Sequence, residues 1–338
     1  MSKWTVILLF ALLCGCESPV ELNTPEDYQA KLVVESHFSP DSLWWLRVRK
    51  SASIMDTIST SSELITPDVT VIISGENNFS DTLQYDTRGI FRSVHVHRPV
   101  SGMIYTTQVS ATGYPQVEAS SEAPILKSNL LTVSKIDVDD SLGTETYSLR
   151  FQVEDMPGSN YYQASISQAV PFCDSDTAGI VIHDAPDALL YYDRLTFESN
   201  SPLFRDFIET LDDPTLPAID ENFWRPYFSD KLFESTIQQF EITFESKLLK
   251  SIQSRFILEI WALSDELFAY ERSLAIHDIN FGLPNIARST PISLYSNVQN
   301  GLGIFAGFTR DIHRFDSQQN EWQEDVLEFN IEEIQPCH

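Results

Sequence analysis

Cysteine is scarce in this 338-residue chain. Its four cysteines show no repeated Cys-x-x-Cys spacing, so the sequence builds neither a zinc module nor a dense disulfide framework. Basic residues are scarce as well. Lys and Arg number 22 against 49 Asp and Glu, and the formal charge of −27 denies nucleic acid or an anionic lipid surface the basic patch that attraction by charge requires. The acidity does not by itself specify a metal, because a solvated acidic exterior is its ordinary meaning. Glycine is infrequent, with 12 residues, and never forms the ordered spacing followed by Lys-Ser or Lys-Thr that cradles a phosphate. Beyond the first 16 residues no stretch reaches the about 20 consecutive apolar residues that a membrane-spanning helix needs.

An apolar run does stand at the start. Lys3 precedes the apolar run Val6-Ile7-Leu8-Leu9-Phe10-Ala11-Leu12-Leu13, and Cys14-Gly15-Cys16 follows. The run is short for a membrane span and has the charge, apolar core and small-residue ending of an export leader. Leu13-Cys14-Gly15-Cys16 resembles a bacterial lipobox. That resemblance implies cleavage before Cys16, diacylglycerol on its sulfur and an acylated new N-terminus, so that residues 1–16 are a lipoprotein signal peptide. Several acyl chains hold a protein stably at a bilayer where one would bind only marginally. Residues 17–30 are polar, include Pro19 and Pro25, and suit a lipid-proximal tether. Export also permits the two remaining cysteines, Cys173 and Cys337, to pair, although two separate thiols fit the sequence equally.

Strand chemistry dominates the remainder. Lys31-Leu32-Val33-Val34-Glu35 and Leu43-Trp44-Trp45-Leu46-Arg47-Val48-Arg49 flank a Ser39-Pro40-Asp41-Ser42 turn, and similar runs recur at 69–73, 89–91 and 103–109. Alternation puts Met103, Tyr105, Thr107 and Val109 on one face of the last run. The fold class is therefore mainly β: an N-terminal Ig-like antiparallel sandwich over 31–125, then a larger β-rich domain with short helices over 126–338. In the second domain, 146–153 and 161–167 suggest a hairpin closed by the turn at 156–160. Ser264 is placed to cap a short helix after the 255–261 strand, with Asp265 and Glu266 in its first turn. Asn300-Gly301 marks a turn between two strand-like runs, and Gly303 and Gly307 permit close backbone packing.

The lipobox, the Leu32-Val33-Val34-Glu35 strand, Leu263-Ser264-Asp265-Glu266 with Tyr270, and the segment at 296–308 together resemble a Bacteroidota lipoprotein family of unknown function. Members are often encoded beside TonB-dependent outer-membrane receptors. The resemblance spans nearly the whole mature chain. It implies an outer-membrane lipoprotein, exposed at the cell surface, that partners such a receptor, and it brings no catalytic residues. Ala306 stands where related sequences often carry glycine, which speaks against a role needing exceptional backbone freedom there.

Candidate chemistry in the residues themselves is sparse. Asp137, Asp139 and Asp140 could offer oxygens to a structural calcium, but no calcium-loop pattern surrounds them, and a solvated acidic turn is the alternative. His95 and His97 share a face if their segment is extended, without a third ligand in view. Ser36-His37 and Ser93 near His95 lack the base and orienting group that activate a serine, so no cofactor and no enzymatic activity are expected. Tyr191, Tyr192, Trp224, Tyr227 and Phe228 form either an aromatic binding surface or a packed core. The expected function is non-covalent: recognition of an unidentified cargo, or docking to a TonB-dependent transporter. A structural or adhesion role in the envelope is the alternative, with a secreted hydrolase behind it.

Overall fold

Period-2 burial organises the strands. In β1 (Leu32–Phe38) Leu32, Val34, Ser36 and Phe38 turn inward while Val33, Glu35 and His37 lie on the other face. The computed structural model describes residues 28–53, 68–139, 143–157, 160–171, 190–204, 226–230, 237–247, 255–281 and 293–316. After β1 come β2 (Trp45–Lys50), β3 (Val69–Gly75), β4 (Ser80–Thr87), β5 (Ile90–Arg92), β6 (Met103–Ala111) and β7 (Val117–Ala123). The next group is β8 (Ser128–Asp139), β9 (Thr144–Glu154), β10 (Tyr161–Pro171), β11 (Leu190–Leu195), β12 (Phe197–Ser199) and β13 (Tyr227–Ser229). Last are β14 (Ile237–Lys247), β15 (Arg255–Leu263), helix α1 (Asp265–Phe281) and β16 (Leu302–Asp316). The protein is mostly β, with antiparallel N-terminal strands and a second β-rich region that carries the helix.

Tight turns set the early registers. Asn77 and Asn78, with φ of 56° and 60°, join β3 to β4, and Arg88 and Gly89, with φ of 50° and 79°, join β4 to β5. Two successive left-handed residues match the twist of a hairpin. One long sheet runs in the order β11-β10-β15-β16-β1-β2-β5-β4-β3-β6-β7, with β13 also pairing β10. A second sheet has the order β12-β14-β9-β8.

Strand β16 belongs to both halves of the long sheet. Its first part, up to Gly307, runs parallel to β1, and its second part, from Phe308, runs antiparallel to β15. The N-terminal part of the sheet folds over so that β7 lies across β16. Gly307 sits so close to the Glu122 carbonyl that no side chain fits, and Thr309 Oγ1 donates to Pro124 O at 2.6 Å. Phe38, Trp44, Tyr105 and Phe305 fill the core enclosed there, and Phe305 and Phe38 approach to 4.7 Å between ring centroids.

The expected 146–167 hairpin does not form. β9 pairs with β8 and β14, whereas β10 pairs with β11, β13 and β15 in the other sheet. Both strands carry alternating apolar residues, and burial satisfies both by setting them face to face across one core. Tyr147, Leu149 and Phe151 meet Tyr162, Ala164 and Ile166 there, together with Phe228, Phe240 and Phe256. Asn160 holds the crossing. Its N–H and Nδ2 donate to Asp230 Oδ2 at 2.9 and 2.7 Å, and Nδ2 also reaches Met156 O at 2.7 Å.

The helix begins as its capping residue predicts. Leu267 N–H donates to Ser264 Oγ at 3.2 Å, and Ser264 N–H itself donates to Gly307 O at 3.0 Å, which ties the cap to β16. The Asn300 turn, with φ of 59°, leads into β16, but residues 293–298 before it form no strand. Instead the Asn297 side chain pairs with the backbone of Phe305, donating from Nδ2 to its carbonyl at 2.8 Å and accepting its N–H at 3.1 Å. Among the described residues no helix is long and apolar enough to cross a membrane.

Candidate functional site

The outward face of β1, β10, β15 and β16 is where side chains of mixed chemistry converge. Alternation sends Phe256, Leu258, Ile260 and Ala262 of β15 into the core and leaves Glu259, Trp261 and Leu263 outside. In β10 the same rule presents Gln163, Ser165 and Ser167, and in β1 it presents His37. Helix α1 lies on this face through Leu267, which packs on Leu263, Ile304 and Ala306. Ala306 is fully buried under the helix, so its small side chain serves close packing. The helix covers only part of the face. Beside it remains a concavity of about 440 Å³ bounded by these residues, by Glu271 of α1 and Phe308 of β16, and by Arg194 of β11. That volume lies in the roughly 300–1,000 Å³ range of small-molecule sites.

Its floor is aromatic and its walls are charged. Trp261 and Phe308 stack with centroids 4.8 Å apart and an interplanar angle of 19°. Arg310, opposite Trp261 in the β15/β16 register, places its guanidinium 5.9 Å from the indole centroid. It also reaches Glu259 at 3.4 Å and Asp41 at 3.1 Å. Ser165 Oγ donates to the other oxygen of Glu259 at 3.5 Å. Burial pushes the His37 imidazole below the ordinary histidine value against the opposing pull of Glu271 and Glu35, which favours the neutral ring. The ring lies edge-on to Tyr270 at 6.0 Å, and its buried Nε2 has no hydrogen-bond partner among the described residues. The arrangement can bind an amphipathic small molecule.

None of these lining residues was singled out as a binding residue from sequence. The signal available was the alternation in 161–167 and 255–263, which separates the faces of a strand without saying that the outer faces meet.

The other candidate residues of the sequence fall elsewhere, whereas His37 lines the concavity. Tyr227 and Phe228 are each 2% exposed, so they form a core and not a contact surface. Tyr227 turns toward α1 and Phe228 toward the sandwich interior, because adjacent residues of a strand face opposite sides. Tyr191 and Tyr192 lie in β11, in register with Val170 and Ala169. Trp224, Asp140, Cys16, Cys173 and Cys337 lie outside the described residues. Asp137 is exposed and its Oδ1 accepts the Val138 N–H at 2.9 Å, while Asp139 ends β8. Among the described residues no group of three His, Cys, Asp or Glu converges on a metal position, so a calcium site at Asp137 and Asp139 is unsupported.

His95 and His97 occupy a loop after β5 and not a strand, with ring centroids 6.0 Å apart. Ser36 and His37 point to opposite faces of β1, and Ser36 Oγ donates to Trp45 O at 2.6 Å in the interior. Ser93 Oγ accepts the His95 N–H at 3.0 Å, an interaction with the backbone and not with the imidazole. Neither pair has the geometry of an activated nucleophile.

Comparison with solved structures finds similarity at 8% identity to the full-length major pilin SpaD from Corynebacterium diphtheriae. That similarity covers 69% of this chain and 61% of SpaD with a TM-score of 0.19. The collagen adhesin CNA from S. aureus is also similar at 8% identity, over 84% of this chain and 93% of that one, with a TM-score of 0.17. The chain thus spans less than two thirds of SpaD, and scores this low carry no functional argument. Comparison with curated proteins gives no match. Residues 17–314, which include every residue of the concavity, match the domain of unknown function DUF4249, and the chain belongs to this Bacteroidota family, often found near TonB-dependent receptor loci.

Proposed function

We propose that the protein is a lipid-anchored, surface-exposed outer-membrane protein whose β-rich body binds a cargo and docks to a TonB-dependent transporter. The observation that carries the cargo reading is the half-covered concavity beside α1, where an aromatic floor, carboxylates and small polar side chains converge on one sheet face. Family membership supports the transporter as partner, and the lipobox supports the anchor. The family match begins at residue 17 and leaves the leader and Cys16 outside it, which fits a tethered domain following a processed segment. Recognition is non-covalent, and the sandwich serves as the scaffold.

Purification of the native protein in mild detergent tests this reading. A TonB-dependent receptor is expected to co-purify in stoichiometric amount, and mass spectrometry of the N-terminal peptide is expected to show an acylated Cys16. Isolation of the protein alone, or in a stable assembly without a transporter, rejects the docking role, and an unacylated N-terminus rejects the anchor.

A further inference from the structure

We propose that the concavity beside α1 takes a small organic cation, a protonated primary amine carried on a flat apolar body. The inference rests on the cargo-binding reading above and names the chemistry of the cargo.

The lining places the carboxylates of Glu259 and Glu271 beside the guanidinium of Arg194, and Glu271 Oε2 also accepts from the Tyr227 hydroxyl at 3.4 Å. Glu259 does not have a cation to itself, because Arg310 divides its contacts between Glu259 at 3.4 Å and Asp41 at 3.1 Å. His37 adds no positive charge in its neutral form. Ser165 and Gln163 add further oxygens on the β10 side. An ammonium group has three donors and no acceptor, so it suits a wall made chiefly of acceptors. The apolar part of such a ligand has Trp261, Phe308, Leu263 and Leu267 to cover it, with the first two already stacked into one platform. An anionic ligand meets two carboxylates in the site and a chain of charge −27 around it.

Isothermal titration calorimetry on the full-length protein in detergent, with tryptamine and its uncharged isostere tryptophol as probes, decides the matter. Tryptamine is expected to bind saturably at one site and about tenfold more tightly than tryptophol, the margin of a charge-assisted hydrogen bond. Glu271→Gln and Glu259→Gln are each expected to remove most of that preference, read as the ratio of tryptamine to tryptophol affinity on the same folded variant. Equal binding of the two probes overturns the proposal, as does absence of saturable tryptamine binding. Folded variants that keep the full preference overturn it too. Should either variant fail to fold, the comparison of probes on the unaltered protein still decides. Receptor co-purification is read on the unaltered protein, so failure of the amine preference is distinguishable from failure of the transporter reading.

Discussion

Gly303 lies directly against the carbonyl oxygen of Val34, and a Cβ on it would fall inside the van der Waals radius of that oxygen. The contact is where β16 meets β1 in parallel register, and Gly303 has a φ of +106°. Gly303→Ala therefore combines a backbone clash with a left-handed conformation and is expected to cost about 3 kcal/mol or more in urea unfolding. Gly113→Ala is the matched control: φ is +85° but the space around it is open, so the expected cost is only the roughly 1–2 kcal/mol of the conformation. Equal losses in the two variants would show that the close approach is unimportant.

Phe228 joins Tyr162, Phe204 and Phe240 in one aromatic cluster, at centroid distances of 5.2, 5.0 and 4.5 Å. Phe228→Ala leaves a cavity that this packing cannot easily close, and a loss of about 3–5 kcal/mol is expected. Denaturant unfolding checks it. A loss below about 1 kcal/mol would return Phe228 to the surface, in conflict with its burial.

Burial, outweighing the hydrogen bonds from Asn160 and reinforced by Asp155, raises the Asp230 carboxyl above the ordinary aspartate value. A raised folded-state value favours the protonated form in the native state. The stabilisation is complete below the unfolded value and is lost as pH rises through the folded one. Asp155→Asn removes the neighbouring charge, so the variant is expected to be more stable than the parent at neutral pH and to lose that advantage on acidification. Urea midpoints at several pH values measure this, and a variant less stable at neutral pH contradicts it.

Glu145 has the opposite sign. Burial pushes its carboxyl up, but hydrogen bonds from Lys135 at 2.6 Å and Tyr147 at 2.6 Å, with the Lys135 charge, outweigh burial and hold it below the usual glutamate range. The stabilisation is present above the unfolded value and disappears as pH falls through the lowered one. Lys135→Met leaves a buried carboxylate with one fewer partner and is expected to cost about 1–3 kcal/mol at neutral pH. The difference should shrink in acid. A pH-independent difference would point to packing of the lysine stem instead.

Local chemistry was legible wherever a residue acts on its own neighbours. Ser264 caps α1, Asn300 turns the chain, and Tyr105, Thr107 and Val109 share a buried face as the alternation in 103–109 requires. Sequence was less informative where two segments compete for one role. Strands β9 and β10 carry the same alternating pattern and read as a hairpin, yet they face each other from different sheets, because alternation specifies which face is buried and not which strand lies alongside. The aromatic run around Tyr227 and Phe228 was ambiguous for a related reason. A cluster of rings has the same composition whether it lines a surface or fills a core.

The β-rich character of the body, its net acidity and the positions of the Ser264 cap and the Asn300 turn can be read from the amino acids alone. These depend on side chains close in the chain or on composition summed over it. Only the tertiary structure decided that β16 runs parallel to β1 and then antiparallel to β15, and that His37, Glu271, Trp261 and Ser165 border one concavity. Those residues come from β1, α1, β15 and β10, so their meeting depends on strand order and register. No periodicity within a single segment encodes that order, because it is fixed by which pairs of faces bury most completely against each other.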